Sequence, residues 1–298
     1  MNSRLSNTVP RSDRHEKFEM RPASKALGLE IVGLDLSEPA DDGTIGLLRN
    51  ALAENCLLLF RKQKLSPEQH IAFSRKFGEL QYHVLQDYAM AGHPELFVIS
   101  NIRKDGTAIG RAGAGQYWHS DLSYVAEPSL GSIMYAIEIP PTGGDTMFAN
   151  MYKAYDTLSE PMKRLLEGLK AEHDFAYTQA TQIASKTYTR PASADQLAKV
   201  PPVQHLVIRT HPESKRKALY VNPGMTTRIV DLAPDESRAI LDFIFAHSTK
   251  PQFVYRHQWQ IGDVVFWDNR SSMHCAIDDY GEHDRRLMVR TTIKDARC

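Results

Sequence analysis

The chain has 298 residues, enough for one large domain or two small ones with a sizeable core. Its 42% hydrophobic and 24% charged residues are ordinary for a globular protein. Lysine plus arginine and aspartate plus glutamate both number 36, so no net charge favours nucleic acid or an anionic membrane surface. Any anion that binds must be held by a local cluster of charges.

No apolar run reaches the length of a membrane span, and the first residues lack the apolar segment of a secretion signal. The three cysteines, Cys56, Cys275 and Cys298, are too few and too scattered for a disulfide framework or a thiolate zinc site. These features predict a cytoplasmic protein that binds neither nucleic acid nor membrane.

The beginning of the chain predicts a tail followed by regular elements. Residues 1–24 are polar and charged without an apolar period, so we expect a flexible tail before a single domain over 25–298. The partial alternation of residues 27–36 predicts a strand or a strand pair. A helix is predicted over "TIGLLRNALAEN", and a buried strand over residues 56–60.

The segment "LSPEQHIAFSRKFGEL" predicts a second helix with clear end signals. Ser66 is the predicted N-cap, Pro67 takes the first helical position, and Gln69 completes the spacing of a capping box. Gly78 is expected to end the helix in the left-handed conformation.

From Leu96 onward, short strand-like segments recur between glycine, proline and aspartate residues. Helices are predicted near residues 152–168 and 234–247. Together they predict a mainly β fold with flanking helices, a double-stranded β-helix (jelly roll, cupin-like). The polar connection 177–202 is long, and we expect a functional lid or a disordered loop. The strand-like segments are "LFVIS", "GSIMYAIEI", "VQHLVIR", "ALYV", "PQFVYRHQW", "DVVFW" and "RLMVRTTI".

Three residues form a candidate metal site. In "QYWHSDLSYV", His119 and Asp121 lie two residues apart, and on a strand both point to one face. His274 lies between an apolar strand and an apolar turn segment. Two imidazoles and one carboxylate suit non-haem Fe(II) with three open positions, or a catalytic zinc with one. Polar residues on a solvated strand and a core histidine remain the alternative interpretation.

The segment "RRLMVRTTI" predicts a strand with Arg286, Met288 and Arg290 on one face. Buried arginines need anionic partners, and the planar guanidinium binds carboxylate, sulfonate or phosphate through two hydrogen bonds. A solvated sheet face is the alternative. Because the strand follows His274 by a short turn, it can reach the same cavity.

An open metal position beside two anion-binding arginines suits a dicarboxylate cosubstrate and a second anionic substrate. Two other function classes fit parts of the pattern. A zinc-dependent hydrolase uses the same three ligands but wants a general base and one substrate anchor. A non-catalytic jelly-roll binding module uses only the arginine pair.

Four motifs in this order resemble the taurine/2,4-dichlorophenoxyacetate dioxygenase family, whose members are Fe(II)- and 2-oxoglutarate-dependent oxygenases. The resemblance covers nearly all of the chain after the tail. The phrases "FVYRHQWQIGDVV" and "ISNIRKDG" are closer to the dichlorophenoxyacetate branch than to the taurine branch. The four motifs are "WHSD", "GGDTMFANM", "GDVVFWDNRSSMHCAIDDY" and "RRLMVRTT".

The resemblance implies a double-stranded β-helix that uses Fe(2+), 2-oxoglutarate and O2 to hydroxylate a small anionic organic substrate, releasing succinate and CO2. An aryloxyalkanoate-like carboxylate is favoured, with a sulfonate or an alkyl sulfate as alternatives. Family members commonly self-associate, so a homo-oligomer is compatible with the resemblance. It assigns three roles, with His119, Asp121 and His274 as iron ligands, Thr146 and Arg286 at 2-oxoglutarate, and Arg290 and His83 at the substrate.

The chain departs from the taurine enzyme in two places. The turn after His274 is one residue longer, so Arg285 competes with Arg286 for 2-oxoglutarate. Strand parity favours Arg286, which shares a face with Arg290. Residues 102–116 are glycine-rich and do not match the substrate loop of the taurine enzyme, which leaves the substrate open.

Overall fold

A computed structural model describes residues 13–14, 18–184, 192–281 and 283–295. The helices are α1 (Asp42–Asn55), α2 (Pro67–Arg75), α3 (Met151–Asp156), α4 (Glu160–Leu166), α5 (Phe175–Ala184), α6 (Ala194–Ala198) and α7 (Pro234–Ser248), with short 3-10 helices at Gln86–Tyr88 and Pro251–Phe253. The strands are β1 (Asp13–Arg14), β2 (Glu19–Pro22), β3 (Leu29–Val32), β4 (Leu57–Phe60), β5 (Ala89–Met90), β6 (His93–Ser100), β7 (Arg103–Lys104), β8 (Thr107–Ala108), β9 (Ser129–Glu138), β10 (Thr146–Asn150), β11 (Lys170–His173), β12 (Val203–Leu206), β13 (Ile208–Thr210), β14 (Lys217–Leu219), β15 (Thr226–Ile229), β16 (Val254–His257), β17 (Val264–Asp268), β18 (Ser272–Ala276) and β19 (Leu287–Lys294).

Two sheets form the framework of the site. The large sheet has nine strands in the order β1-β2-β3-β4-β17-β9-β19-β6-β5, in which only the β3–β4 pair is parallel. The smaller sheet has the order β16-β10-β18. Side chains from both sheets share one core, in which the Phe148 ring of β10 lies 5.5 Å from the Trp267 ring of β17. The mainly β jelly-roll fold with flanking helices is confirmed; among the described strands the two sheets do not join into a closed barrel.

A second core lies on the outer face of the large sheet, under α1 and α2. The Phe77 ring that follows α2 contacts the Phe266 ring of β17 at 4.8 Å, edge to face. Leu48 and Leu52 of α1 are fully buried in the same core. Burying each such side chain contributes roughly 1.5–3 kcal/mol, which holds the helices on the sheet. The large sheet is therefore covered on both faces, as the buried strand predicted over residues 56–60 requires.

Local signals in the sequence explain where α2 begins. The Gln69 N–H donates to Ser66 Oγ at 3.2 Å, and the Ser66 N–H donates to Gln69 Oε1 at 2.8 Å, so the predicted capping box is confirmed. The predicted end is wrong. The helix ends at Arg75 with Lys76 in the right-handed conformation, and backbone bonds to residues three positions earlier close the last turn.

Other predicted elements differ in extent. The helix predicted near residues 152–168 is two helices, α3 and α4, and Ser159 caps the second. The connection 177–202, expected to be a lid or a disordered loop, contains most of α5 and all of α6, with residues 185–191 outside the described part. In α6, Ser193 and Gln196 form a capping box, which explains why this polar segment is helical.

Strand β2 lies inside the range 1–24 that we expected to be a flexible tail, and it pairs with β3. Residues 1–12 and 15–17 of that range lie outside the described residues. The division into a tail and one domain over 25–298 therefore stays a prediction. Among the helices described, none is both long and apolar enough to cross a membrane.

Candidate active site

Backbone pairing brings the three predicted metal ligands together. His119 and His274 face each other in an antiparallel bridge, with N···O distances of 2.9 and 2.7 Å. His119 Nε2 lies 3.7 Å from Asp121 Oδ1, and His274 Nε2 lies 3.9 Å from Asp121 Oδ2. One donor atom from each residue lies within 4.8 Å of the others, and all three side chains are buried. This donor set fits a metal ion.

The spacing of His119 and Asp121 was interpreted as that of neighbours on a strand, but the segment around them is not a regular strand. Only His119 pairs with another strand, and Asp121 begins a turn. Leu122 in this turn has a φ of 57°, a left-handed conformation that is rare for a non-glycine residue. Ser120, which lies between the two ligands, is buried, and its hydroxyl donates to the Ser272 carbonyl at 2.8 Å.

Hydrogen bonds around the ligands fix their orientation. His119 Nδ1 lies 2.8 Å from the Tyr117 carbonyl, to which it donates its proton, so Nε2 carries the lone pair. Ser132 Oγ donates to Asp121 Oδ2 at 2.7 Å, and Asn269 Nδ2 donates to Ser132 Oγ at 3.1 Å. These contacts hold one imidazole nitrogen and the carboxylate toward a common point.

The electrostatic environment keeps the ligands in the charge states that bind metal. Burial is the main cause that lowers the pKa of His274 well below its ordinary value, and the neighbouring His119 adds to it. Burial alone would raise the pKa of Asp121, but Arg290 together with the two histidines holds it well below the ordinary range. A neutral His274 and an ionised Asp121 are the forms that coordinate a cation.

The triad opens into a cavity that is partly open to solvent. All seven residues that the resemblance assigned line this cavity. Thr146 on β10 is held by the indole N–H of Trp259, which donates to its hydroxyl at 3.0 Å. Phe148 and Trp267 pack on the His274 ring at 5.9 and 4.7 Å between centroids. One cavity thus contains three metal-binding groups together with Arg286 and Arg290.

The two competing arginines have separate environments. Arg285 is exposed and binds Glu138 through two hydrogen bonds of 2.7 and 3.1 Å. Arg286 is buried in the cavity wall, and among the described residues its Nε has no hydrogen-bond partner. Burial lowers the pKa of Arg286, although Tyr280 and Asp278 oppose the effect. This geometry agrees with the strand parity that favoured Arg286.

Arg290 is buried on the same strand and donates from Nη1 to Asp121 Oδ1. Its Nε has no partner in the described part of the chain. On this strand Met288 belongs to the inner core and Val289 to the outer core. The alternative of a solvated sheet face is therefore wrong, because both faces of β19 are buried.

His83 lines the cavity beside these residues. Its ring lies 4.3 Å from the Phe97 ring, and its Nδ1 accepts a hydrogen bond from the Leu85 N–H at 3.0 Å. Burial lowers the pKa of His83 to about 3, and the charges of Arg290 and Arg111 add to the shift. His83 is therefore neutral at physiological pH.

Arg111, a third arginine that lines the cavity, was not predicted from the sequence. Its N–H donates to the Val98 carbonyl at 2.9 Å, and its carbonyl accepts from the Ser100 N–H at 3.3 Å. These bonds fold the glycine-rich segment 102–116 back along β6. An arginine between small residues, eight positions before His119, was the available signal.

Comparison with known proteins identifies the family and several relatives of this chain. Residues 19–292 match the family described as "Taurine catabolism dioxygenase TauD, TfdA family". The chain is similar to an alpha-ketoglutarate-dependent 2,4-dichlorophenoxyacetate dioxygenase of Cupriavidus pinatubonensis, with 35% identity covering 91% of this chain and 95% of the relative. It is 30% identical to an alpha-ketoglutarate-dependent sulfate ester dioxygenase of Pseudomonas putida, covering 93% of this chain and 89% of that one.

Among solved structures, a taurine dioxygenase from Burkholderia xenovorans has a TM-score of 0.77 and 33% identity, covering 93% of this chain and 89% of that chain. The expected enzyme class, a 2-oxoglutarate-dependent dioxygenase, is confirmed. The chain therefore belongs to the TauD/TfdA family of dioxygenases.

Proposed function

We propose that this protein uses Fe(2+), 2-oxoglutarate and O2 to hydroxylate a small anionic organic substrate, with release of succinate and CO2. One observation carries the proposal. A buried His-Asp-His triad shares its cavity with Arg286, whose Nε lacks a partner among the described residues. A buried guanidinium without an ion pair is costly, so a bound anion explains its position.

In this proposal His119, Asp121 and His274 hold the iron. A bound Fe(II) supplies the O2-activating chemistry, and the chain supplies binding, orientation and the exclusion of water. Two imidazoles and one carboxylate leave open positions for a cosubstrate. Arg286 and the Thr146 hydroxyl together suit the distal carboxylate of 2-oxoglutarate, because they combine a guanidinium with a neutral donor in one wall of the cavity.

The substrate is proposed to bind at the side of the cavity that contains Arg290 and His83. The three relatives act, by their names, on 2,4-dichlorophenoxyacetate, a sulfate ester and taurine, each with an anionic group. An aryloxyalkanoate-like carboxylate is favoured because that relative has the highest identity of the three. Sulfonates and alkyl sulfates are the alternatives. Arg290 holds the acid group of the substrate and thereby places the substrate C–H bond correctly for reaction.

The direct test is succinate release from 2-oxoglutarate with Fe(II), in air and without O2, in the presence of phenoxyacetate, benzenesulfonate or hexyl sulfate. We expect succinate that requires Fe(II), O2 and 2-oxoglutarate, and that rises with at least one acid. Metal-dependent hydrolysis without O2 or 2-oxoglutarate would instead support the zinc hydrolase. Anion binding without any turnover would support the non-catalytic module.

We also propose that the protein is cytoplasmic and that it forms a homo-oligomer. A cytoplasmic location is supported by the few, scattered cysteines, of which Cys56 and Cys275 are free thiols. The tail and the single domain over 25–298 are proposed with them, and the family match over residues 19–292 supports one continuous domain.

A further inference from the structure

Among the described residues, three arginines line the cavity. Arg290 donates to the ionised Asp121, so a carboxylate already balances part of its charge. Arg286 lies in the wall that we propose for 2-oxoglutarate. Arg111 is 6% exposed and lines the same cavity, and neither the resemblance nor the proposed function gives it a role.

Aromatic rings place Arg111 and Arg290 at one end of the cavity. The Arg111 guanidinium lies 5.7 Å from the centre of the Tyr88 ring, and the Arg290 guanidinium lies 5.5 Å from the centre of the Phe97 ring. These two rings are 6.1 Å apart. The His83 ring packs on Phe97 at 4.3 Å. The two guanidiniums thus flank one aromatic group that His83 completes.

His83 adds a hydrogen-bond donor to this end of the cavity. Its Nδ1 accepts from the Leu85 N–H, so the neutral ring must carry its proton on Nε2. Guanidinium groups are donors only. The three side chains therefore present N–H groups, and the matching ligand is an ionised acid with several acceptor oxygens.

The remaining walls describe the rest of the ligand. They include Ile99, Leu122, Phe175 and Met225, all apolar. Apolar walls with a few converging donors are typical of sites for small organic molecules. A ligand with an apolar body and one ionised group satisfies both parts of the cavity.

We propose that Arg111 is a substrate-specificity residue that binds the ionised acid group of an apolar organic substrate together with Arg290 and His83. This inference rests on the proposed function and gives a third arginine to the substrate. A guanidinium at this end of the cavity favours an acid over a neutral analogue, and Arg111 supplies one in addition to that of Arg290. The acid group is a carboxylate, a sulfonate or a sulfate ester.

The test is calorimetric titration of the anaerobic Fe(II) protein, first with 2-oxoglutarate and then with phenoxyacetate, benzenesulfonate, hexyl sulfate and the neutral ester methyl phenoxyacetate. The variants are Arg111→Gln and Arg111→Lys. The control is Arg103→Gln, an exposed arginine on the same segment. Arg111→Gln should weaken the tightest-binding acid about 10- to 100-fold, as expected for losing a charged hydrogen-bond pair. Arg111→Lys should retain part of the affinity, and Arg103→Gln all of it.

Binding of 2-oxoglutarate and of the ester should change less than about threefold in Arg111→Gln, since neither depends on this charge. Unchanged acid affinity, equal weakening of the ester, or weakened 2-oxoglutarate binding would each overturn the role of Arg111. If the wild-type protein binds 2-oxoglutarate but none of the acids, this inference fails while the proposed cosubstrate site stands. If it does not bind 2-oxoglutarate, the proposed function itself fails. Should Arg111→Gln not fold, the Lys variant decides by the same comparison.

Discussion

Two buried arginines, Arg270 and Arg286, have opposite surroundings. They are 4% and 6% exposed. Arg270 forms a complete network, with bonds of 3.0 and 2.6 Å to Asp268, 3.1 Å to Asp295 and 3.3 Å to Glu213. Arg286 has no ion pair among the described residues, and its Nε has no hydrogen-bond partner there.

The pKa values follow the same contrast. Burial alone would lower the pKa of Arg270, but Asp268 and the other carboxylates raise it above its ordinary value. At Arg286 the effect of burial is larger than that of the neighbouring Tyr280 and Asp278, so the pKa is lowered. A buried charge needs a partner, which the chain provides at Arg270 and which we propose a ligand provides at Arg286. Replacing Arg270 should therefore decrease the stability of the fold, and replacing Arg286 should weaken ligand binding.

The largest effect is expected at the metal ligands next to Arg286. Asp121→Ala should decrease succinate release at least about 1,000-fold, because it removes a metal ligand whose loss the histidines cannot replace. The control Asp242→Ala changes an exposed carboxylate paired with Arg238. Succinate measurement at saturating Fe(II) and 2-oxoglutarate checks both, and turnover by the Asp121→Ala protein at the wild-type rate would contradict the triad.

Arg270→Met should decrease the free energy of unfolding by about 3–5 kcal/mol, because it leaves buried carboxylates without their counter-charge. The control is Arg228→Met. Arg228 binds Glu172 through two bonds of 3.2 and 2.9 Å but is exposed, so its loss should leave stability nearly unchanged. Urea unfolding of the metal-free proteins measures both. Equal destabilisation by the two variants would remove the contrast between buried and exposed arginines.

Arg286→Gln should raise the apparent constant for 2-oxoglutarate about 10- to 100-fold, as expected for losing a charged hydrogen-bond pair to a carboxylate. Its stability in the absence of ligand should equal or exceed that of the wild type, since an uncompensated buried charge is removed. Arg285→Gln is the matched control, because Arg285 binds Glu138 at the surface. A larger effect of Arg285→Gln on the cosubstrate constant would reverse the assignment.

A smaller effect, on the pH dependence of stability, is expected from His70, a buried histidine of α2 on the outer face of the large sheet. Burial lowers the pKa of His70 to about 4. The unfolded chain, with a pKa near 6.5, takes up the proton first, so stability present above about pH 6.5 is lost as pH falls toward 4. Between pH 7.5 and 5.0 the loss from this residue should be about 2 kcal/mol.

His70→Gln should flatten the pH dependence of the unfolding free energy by that amount. His93→Gln, a change at the start of β6, serves as the control and should keep the wild-type slope. Urea unfolding at several pH values measures the slopes. An unchanged slope in His70→Gln would show that His70 is protonated in the folded protein.

Residue patterns within single short segments were sufficient to predict part of the secondary structure. The Ser66–Gln69 capping box fixes the start of α2 through bonds between neighbouring residues, and such bonds are readable in one segment. The capping box of Ser193 and Gln196 was equally readable, but the helix α6 that it begins was not predicted within residues 177–202. The order of the strands in the large sheet depends on contacts between distant segments, which no single segment specifies.

At the candidate site, too, local features were predicted from the sequence, whereas contacts between distant segments were not. Spacing and resemblance identified His119, Asp121 and His274 together with Arg286, and the structure brings them into one cavity. The turn at Leu122 was missed because the His119–His274 bridge joins segments far apart in sequence. Arg111 was missed for a similar reason, since its place in the cavity depends on backbone bonds to β6.

The central claim is that this cavity binds Fe(II) and 2-oxoglutarate together. The most direct measurement is the visible absorption of the anaerobic Fe(II) protein during titration with 2-oxoglutarate. We expect a weak band that saturates in the wild type and in Arg285→Gln, and that needs about 10- to 100-fold more 2-oxoglutarate in Arg286→Gln. Absence of the band in the wild-type protein, or saturation of Arg286→Gln at the wild-type concentration, would contradict the claim.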